Sequence, residues 1–203
     1  MGTLSTLAKQ TALDAATALL THLGLFAVTV IAGTTGTAST NVFSKTSHGM
    51  ADGTPVILTA MTGGAGLTAG TADNADGNGK VYFVVSSAAD TFKLSATVGG
   101  AEVDFTTDIS AVTVNKLVEV TGGDPAYARQ TVTYDAAAGD PAVAAIPAAE
   151  TFNVPAGTTT GAVGAFTALS GGTRHWIDGV VFETWAQQGT CDVSTAPITL
   201  GDS

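Results

Sequence analysis

Positive charge is what this chain has least of. Seven basic residues stand against 17 acidic ones, Arg129 and Arg174 are its arginines, and the formal charge is −10 over 203 residues. Nucleic-acid recognition needs clustered cations that displace counterions from phosphates, and the sequence has no such cluster. Anionic membrane surfaces are disfavoured as partners by the same reasoning. Cysteine is nearly missing: Cys191 stands alone, so no internal disulfide can form and redox chemistry does not fix the compartment. Long apolar runs are missing as well. The longest, residues 19–32, is broken by His22 and Gly24 and is too short to span a bilayer. Residues 1–9 lack the basic leader and apolar core of a secretory signal, so none is expected.

The motifs of catalysis are lacking too. There is no nucleophile elbow, phosphate-binding loop or dinucleotide fingerprint, and the glycines fall between β-prone runs instead of between a strand and a helix. Cys191 has no base in its neighbourhood of sequence, and a thiol without one is a small apolar side chain. His22, His48 and His175 share no metal-ligand spacing, and His48 is expected to bond a backbone carbonyl. Asp73 and Asp76 faintly suggest a calcium loop. However, Ala75 stands where a ligand belongs and Val84 where the closing glutamate would be, so a solvated hairpin tip is expected. Glu102 and Asp104 can face one way on a strand, but aromatics are only 6% of the chain, too few for a sugar-cleaving cleft. No cofactor, no metal and no enzymatic activity are expected.

What is present is Ala, Gly and Thr in quantity, with 12% charged residues and a mean hydropathy of +0.33. So few charges leave a monomer poorly protected against association, which points to a surface partly covered by other subunits. Residues 4–23 place Leu4, Leu7, Ala8, Ala12, Ala15, Ala16, Leu19, Leu20 and Leu23 at helical spacing. Lys9 lies off that stripe, Thr3 or Ser5 supplies an N-cap, and Gly24 is placed for a left-handed C-cap. From there on the chain reads as short strands at 25–31, 56–59, 80–85, 91–95, 103–105, 112–120, 130–134, 150–154, 162–168, 176–182 and 191–200. Paired glycines at 63–64, 99–100, 122–123 and 171–172, and Asp76-Gly77, supply the positive φ of tight turns. The fold class expected is mainly β, an antiparallel sandwich or barrel domain with one N-terminal α-helix and an inserted small β module.

Residues 44–105 carry the insertion reading. The string HGMADGTPVILT, with His48, Gly49 and Gly53 in its turn, followed by VYFVV and ADTFKLS, resembles a small immunoglobulin-like β module found inserted in phage and prophage structural proteins. The flanking strings ALDAATALLTHLGLF, EVTGGDPAYARQTVTYDAA and TFNVPAGTTTGAVGAFTALSGGT resemble tail-fibre-like virion proteins of actinobacterial tailed phages. Their turns hold Gly122, Gly123, Pro125, Tyr127, Arg129, Pro155 and Gly157. Arg129 is expected to pair with Glu119 or Asp135 or to stack on an aromatic ring.

The resemblance implies a host domain made of residues 1–30 and 117–203, interrupted by a module at 31–116. It implies a virion protein, assembled in the host cytoplasm, of the minor-tail or tail-fibre-like kind, with a head decoration protein as the alternative. A host-surface or glycan-binding adhesin is a second alternative, using the loops at 63–79. The implied partners are copies of itself, a trimer first, other virion proteins and the host cell surface, without nucleic acid or membrane insertion.

Overall fold

The computed structural model describes residues 5–200. Thr3 and Leu4, and the side chain of Asp73, lie outside what is described. The protein is mainly β: one α-helix precedes a set of strands whose pairings are all antiparallel.

Helix α1 spans Thr6–Thr17, and the Ser5 hydroxyl caps it by accepting the Ala8 N–H at 3.3 Å. Its buried line is Lys9, Leu13 and Thr17, each one turn from the next, with Leu20 just beyond. The alanine stripe expected to be buried is on the other side, because Ala12, Ala15, Ala16 and Leu19 face solvent. Side-chain length explains the inversion. Leu13 reaches the buried Ala142 and Ala144, while Lys9 buries its stem and carries its ammonium to Asp140 at 2.7 Å. Alanines offer too little area to compete for that contact. The helix ends at Thr17, so Gly24 is not its C-cap. Gly24 is a strand residue, and a Cβ there would lie 2.9 Å from both the Phe166 ring and the Tyr127 hydroxyl.

Six strands then close a ring. They are β1 (His22–Thr37), β2 (Val42–Ser44), β3 (Pro55–Gly63), β4 (Val81–Val85), β5 (Thr91–Ser95) and β6 (Ile109–Glu119). Their order is β1-β2-β5-β4-β3-β6, and β6 returns to pair with β1. The period-two alternation decides what fills the ring. Val56 and Leu58 of β3, Tyr82 and Val84 of β4, Phe92 and Leu94 of β5, and Val112 and Val114 of β6 point inward, with Phe43 and Phe105 between them. Ile57, Val81, Phe83 and Leu117 alternate outward and are buried too. Being covered on both faces is why the runs at 56–58 and 81–85 are continuously apolar.

The cover comes from a hairpin, β10 (Thr158–Phe166) and β11 (Arg174–Trp185), following the short strands β7 (Gln130–Thr131), β8 (Ala142–Ala144) and β9 (Glu150–Val154). β10 pairs with the first half of β1, placing Phe26, Ala162 and Phe166 against the outward residues of the ring. The opposite face of β1 and β10, with Leu23, Leu25, Val163 and Ala165, meets Phe152, Val154 and Val193. The latter residues belong to β9 and to β12 (Gly189–Val193), which pair with each other, while β13 (Ile198–Leu200) pairs with β8. β1 therefore runs from one apolar layer into the next. Gly33, at φ +68°, sits in the irregularity between Ile31 and Thr34 that lets the strand coil around the ring.

Several expected elements differ. The run at 103–105 is not a strand, since only Glu102 bridges to Ser95, and Phe105 instead plugs the ring. β2 and β8, three residues each, have too little sequence to show a period. The run at 191–200 is two strands, split by Pro197 and the residues around it. The expected junctions at 30/31 and 116/117 fall inside β1 and β6. The glycine-rich loop is not a free solvated tip. Asn74 is wholly buried, donates to the Val180 carbonyl at 2.9 Å and accepts the Gly79 N–H at 2.8 Å, which pins the loop to β11.

Candidate functional site

The sequence-marked turn after β6 is held at both ends. Gly122 and Gly123 have φ of +84° and +93°, a conformation that side chains with a Cβ disfavour, and the Asp124-Pro125 peptide is cis. Gln188 reads the turn from outside: its Oε1 accepts the Asp124 N–H at 2.8 Å and its Nε2 donates to the Pro125 carbonyl at 2.7 Å. Nothing in the sequence marked Gln188, since a glutamine in a loop carries no pattern.

Beyond the turn, Tyr127 and Arg129 both reach Glu119 at the end of β6. Arg129 donates from Nε to Oε1 and from Nη2 to Oε2, both at 2.7 Å, and from Nη1 to the carbonyls of Ala168 and Gly171, also at 2.7 Å. The side-chain bond to Glu119 raises the guanidinium's affinity for its proton further. The Tyr127 hydroxyl accepts the Leu25 N–H at 2.9 Å and donates to Glu119 at 3.4 Å. Burial, reinforced by the Glu119 charge, pushes the Tyr127 phenol well up. Both expected partners of Arg129 are thus present, a carboxylate and an aromatic face; Asp135 is not the carboxylate.

That aromatic face begins a column. The Arg129 guanidinium lies 3.5 Å from the centre of the Phe166 ring, and Phe166 stacks on Phe26 with centroids 6.0 Å apart and planes 7° apart. On the far side the Arg174 guanidinium sits 5.5 Å from Phe26 and 5.7 Å from Phe83. Both arginines of the chain therefore bracket one aromatic stack that joins β1, β10, β11 and β4. The Arg174 end opens into a depression of about 360 Å³ beside Val98, His175 and Trp176. Burial makes the Arg174 cation easier to deprotonate than an ordinary arginine, offset in part by the Glu119 charge.

The other marked turn is equally occupied. His48 is buried against the edge of Phe92, with ring centroids 5.0 Å apart. Its Nδ1 accepts the Met50 N–H at 3.1 Å, so Nε2 is the donor and meets the Ala88 carbonyl at 2.8 Å. Gly49 and Gly53 supply positive φ on either side of Met50. Pro155 touches the Gly123 turn, and Gly157, at φ +75°, donates its N–H to the Trp185 carbonyl at 2.7 Å. These marked residues shape and fasten turns; the structure does not gather them into one site.

Glu102 is ion-paired with Lys93, and Asp104 accepts a bond from Asn41, so the two carboxylates serve separate partners. A second cleft, of about 430 Å³, runs between β11 and residues 191–197, with Trp176 and Val163 on its walls and Asp178, Glu183 and Asp192 among its carboxylates. Burial, then the charges of Glu183 and Asp192, push the Cys191 thiol up, away from the thiolate a nucleophile needs. Burial likewise raises Asp178. Among the described residues no group of three or more His, Cys, Asp or Glu side chains could hold a metal ion, and no helix is long and apolar enough to cross a membrane.

The architecture defines the class of protein: a mainly β protein built on a closed antiparallel ring with an added hairpin layer. Beyond that class, no family model, curated protein or solved structure matches the chain.

Proposed function

We propose that the protein is a structural component of a tailed-phage virion, without enzymatic activity, that works by packing against copies of itself and its neighbours. A minor-tail or tail-fibre-like position is the one the sequence resemblance favours. The observation that carries the packing reading is the apolar surface left uncovered on α1, where Ala12, Ala15, Ala16 and Leu19 share an outward face. Val30 and Val118 add exposed apolar area on β1 and β6. With 12% charged residues there is little to keep such a face dispersed, and the charge of −10 limits association to a small, closed assembly.

A trimer is the state proposed. Light scattering over a concentration series tests it: a trimer is expected, and a strict monomer at every concentration would overturn self-association. Labelled antibody imaged on virions tests the position. Signal at the tail is expected, signal over the head would replace it with the decoration role, and no signal on the particle would refute the virion reading.

A further inference from the structure

We propose that the depression at the open end of the aromatic column binds a single carboxylate carried on a ring of monosaccharide size, with Arg174 as the group that recognises it. This goes beyond the packing role above and does not rest on it.

The two arginines make the case by contrast. Arg129 and Arg174 cap the same Phe166–Phe26 stack, yet Arg129 spends its donors on a carboxylate and two carbonyls. The Arg174 side chain makes no hydrogen bond or ion pair among the described residues. The nearest carboxylate by charge, Glu119, has its oxygens engaged by Arg129 and Tyr127. A partly buried guanidinium without acceptors is expensive, and half-burial already weakens its hold on the proton. With Phe26 and Phe83 at its flanks, what remains free is the edge of the fork, and that edge matches the two oxygens of a carboxylate.

The walls set the size and character of the rest. Thr97 and Val98, which follow β5, and His175 and Ile177 of β11 border the fork, a partly apolar lining with a hydroxyl and an imidazole at hand, while the Trp176 indole packs on the other face of the sheet. About 360 Å³ lies at the lower end of ligand pockets and is room enough for one ring. The charge of −10 opposes polyanions at long range, so the ligand presents one acid at this point. The loops at 63–79 offered no arginine for recognition; the fold supplies one here, beside segments distant in sequence.

The test is an NMR titration of the full chain at constant ionic strength with sodium glucuronate, glucose and sodium acetate. Saturable shifts at residues 96–98 and 174–177 are expected with glucuronate, at least tenfold weaker with either glucose or acetate. R174Q should weaken glucuronate binding at least tenfold, and R174K should not restore it, because an ammonium cannot present two parallel donors. V98D, at an exposed position on the rim, leaves Arg174 in place and should also abolish binding by offering it an internal carboxylate. No saturable shift with glucuronate, equal response to glucose, or R174Q and V98D both binding as the parent would each overturn the assignment. Equal affinity for acetate would overturn the ring.

Discussion

The closed ring and the layers outside it are stabilised in different ways. Inside the ring, Phe43, Tyr82, Phe92 and Leu94 are almost completely buried, and the closure leaves no free strand edge to protect. Outside, apart from the β10–β11 hairpin, the strands are short, and polar fasteners hold what area alone does not: Lys9 to Asp140, Arg129 to Glu119, Gln188 to the turn at 124–125, Asn74 to Val180. A region rich in large apolar residues is specified by packing. A region of alanine, glycine and threonine needs directional contacts to choose one arrangement. Substitutions on the two sides should therefore fail in different ways.

The largest loss is expected inside the ring. Phe92→Ala removes a ring packed on Phe43 at 5.2 Å and against His48, and should cost about 3–5 kcal/mol in denaturant unfolding. Arg129→Ala comes next, at about 3 kcal/mol, since it strands Glu119 and the partly buried Ala168 carbonyl. Arg129→Lys should recover little of this, because lysine cannot pair with both oxygens. A loss at Arg129 well below about 1 kcal/mol would show that packing alone holds the outer layers, and would erase the contrast.

At α1 the effects are smaller. Lys9→Ala should cost about 1–2 kcal/mol through its buried stem, whereas Lys9→Met, which keeps the stem, should cost less. The hydrogen bond from Lys9 holds the Asp140 carboxyl below its ordinary range. A depressed carboxylate contributes fully above its unfolded value and loses the contribution as pH falls through the lower folded one. Amide-exchange protection factors in α1, corrected for the intrinsic rate, should therefore fall as pH drops below about 4, and Lys9→Met should reduce that dependence, leaving the part due to the Thr6 hydroxyl.

The smallest effects concern single groups. Among the described residues the buried Tyr134 hydroxyl has no hydrogen-bond partner, and burial pushes the phenol up to about 12. Tyr134→Phe should therefore be neutral or stabilise by up to about 1 kcal/mol, read from the shift in Tm. Ala16→Asp, on the outward face, should change monomer stability by less than about 0.5 kcal/mol while weakening self-association in light scattering. A large loss of monomer stability at Ala16 would mean that face is packed within the subunit.

Strands β3, β4, β5 and β9 were legible because β-branched and aromatic runs bounded by glycine have few other uses. Gly49, Gly53, Gly122, Gly123 and Gly157 were legible as turn residues because positive φ is costly for other side chains. The helix was legible as a helix but not in its orientation: alanines at helical spacing look like a core face, and only the position of Asp140 shows why a lysine went inside instead. Asn74 read as part of a polar loop because its partner, Val180, is 106 residues away. The Arg174 depression had no sequence signature at all, since Thr97, Val98 and Trp176 form no motif until β11 folds against the ring.

The sequence by itself determined the mainly β class, the single helix and the turns, because hydrophobic period and the φ preferences of glycine and proline act over a few neighbouring residues. Closure of the ring, the direction α1 faces, and the joining of Arg129, Phe166, Phe26, Arg174 and Phe83 into one column were decided only in tertiary structure. Each of these depends on which distant surfaces meet, and local preference carries no information about that.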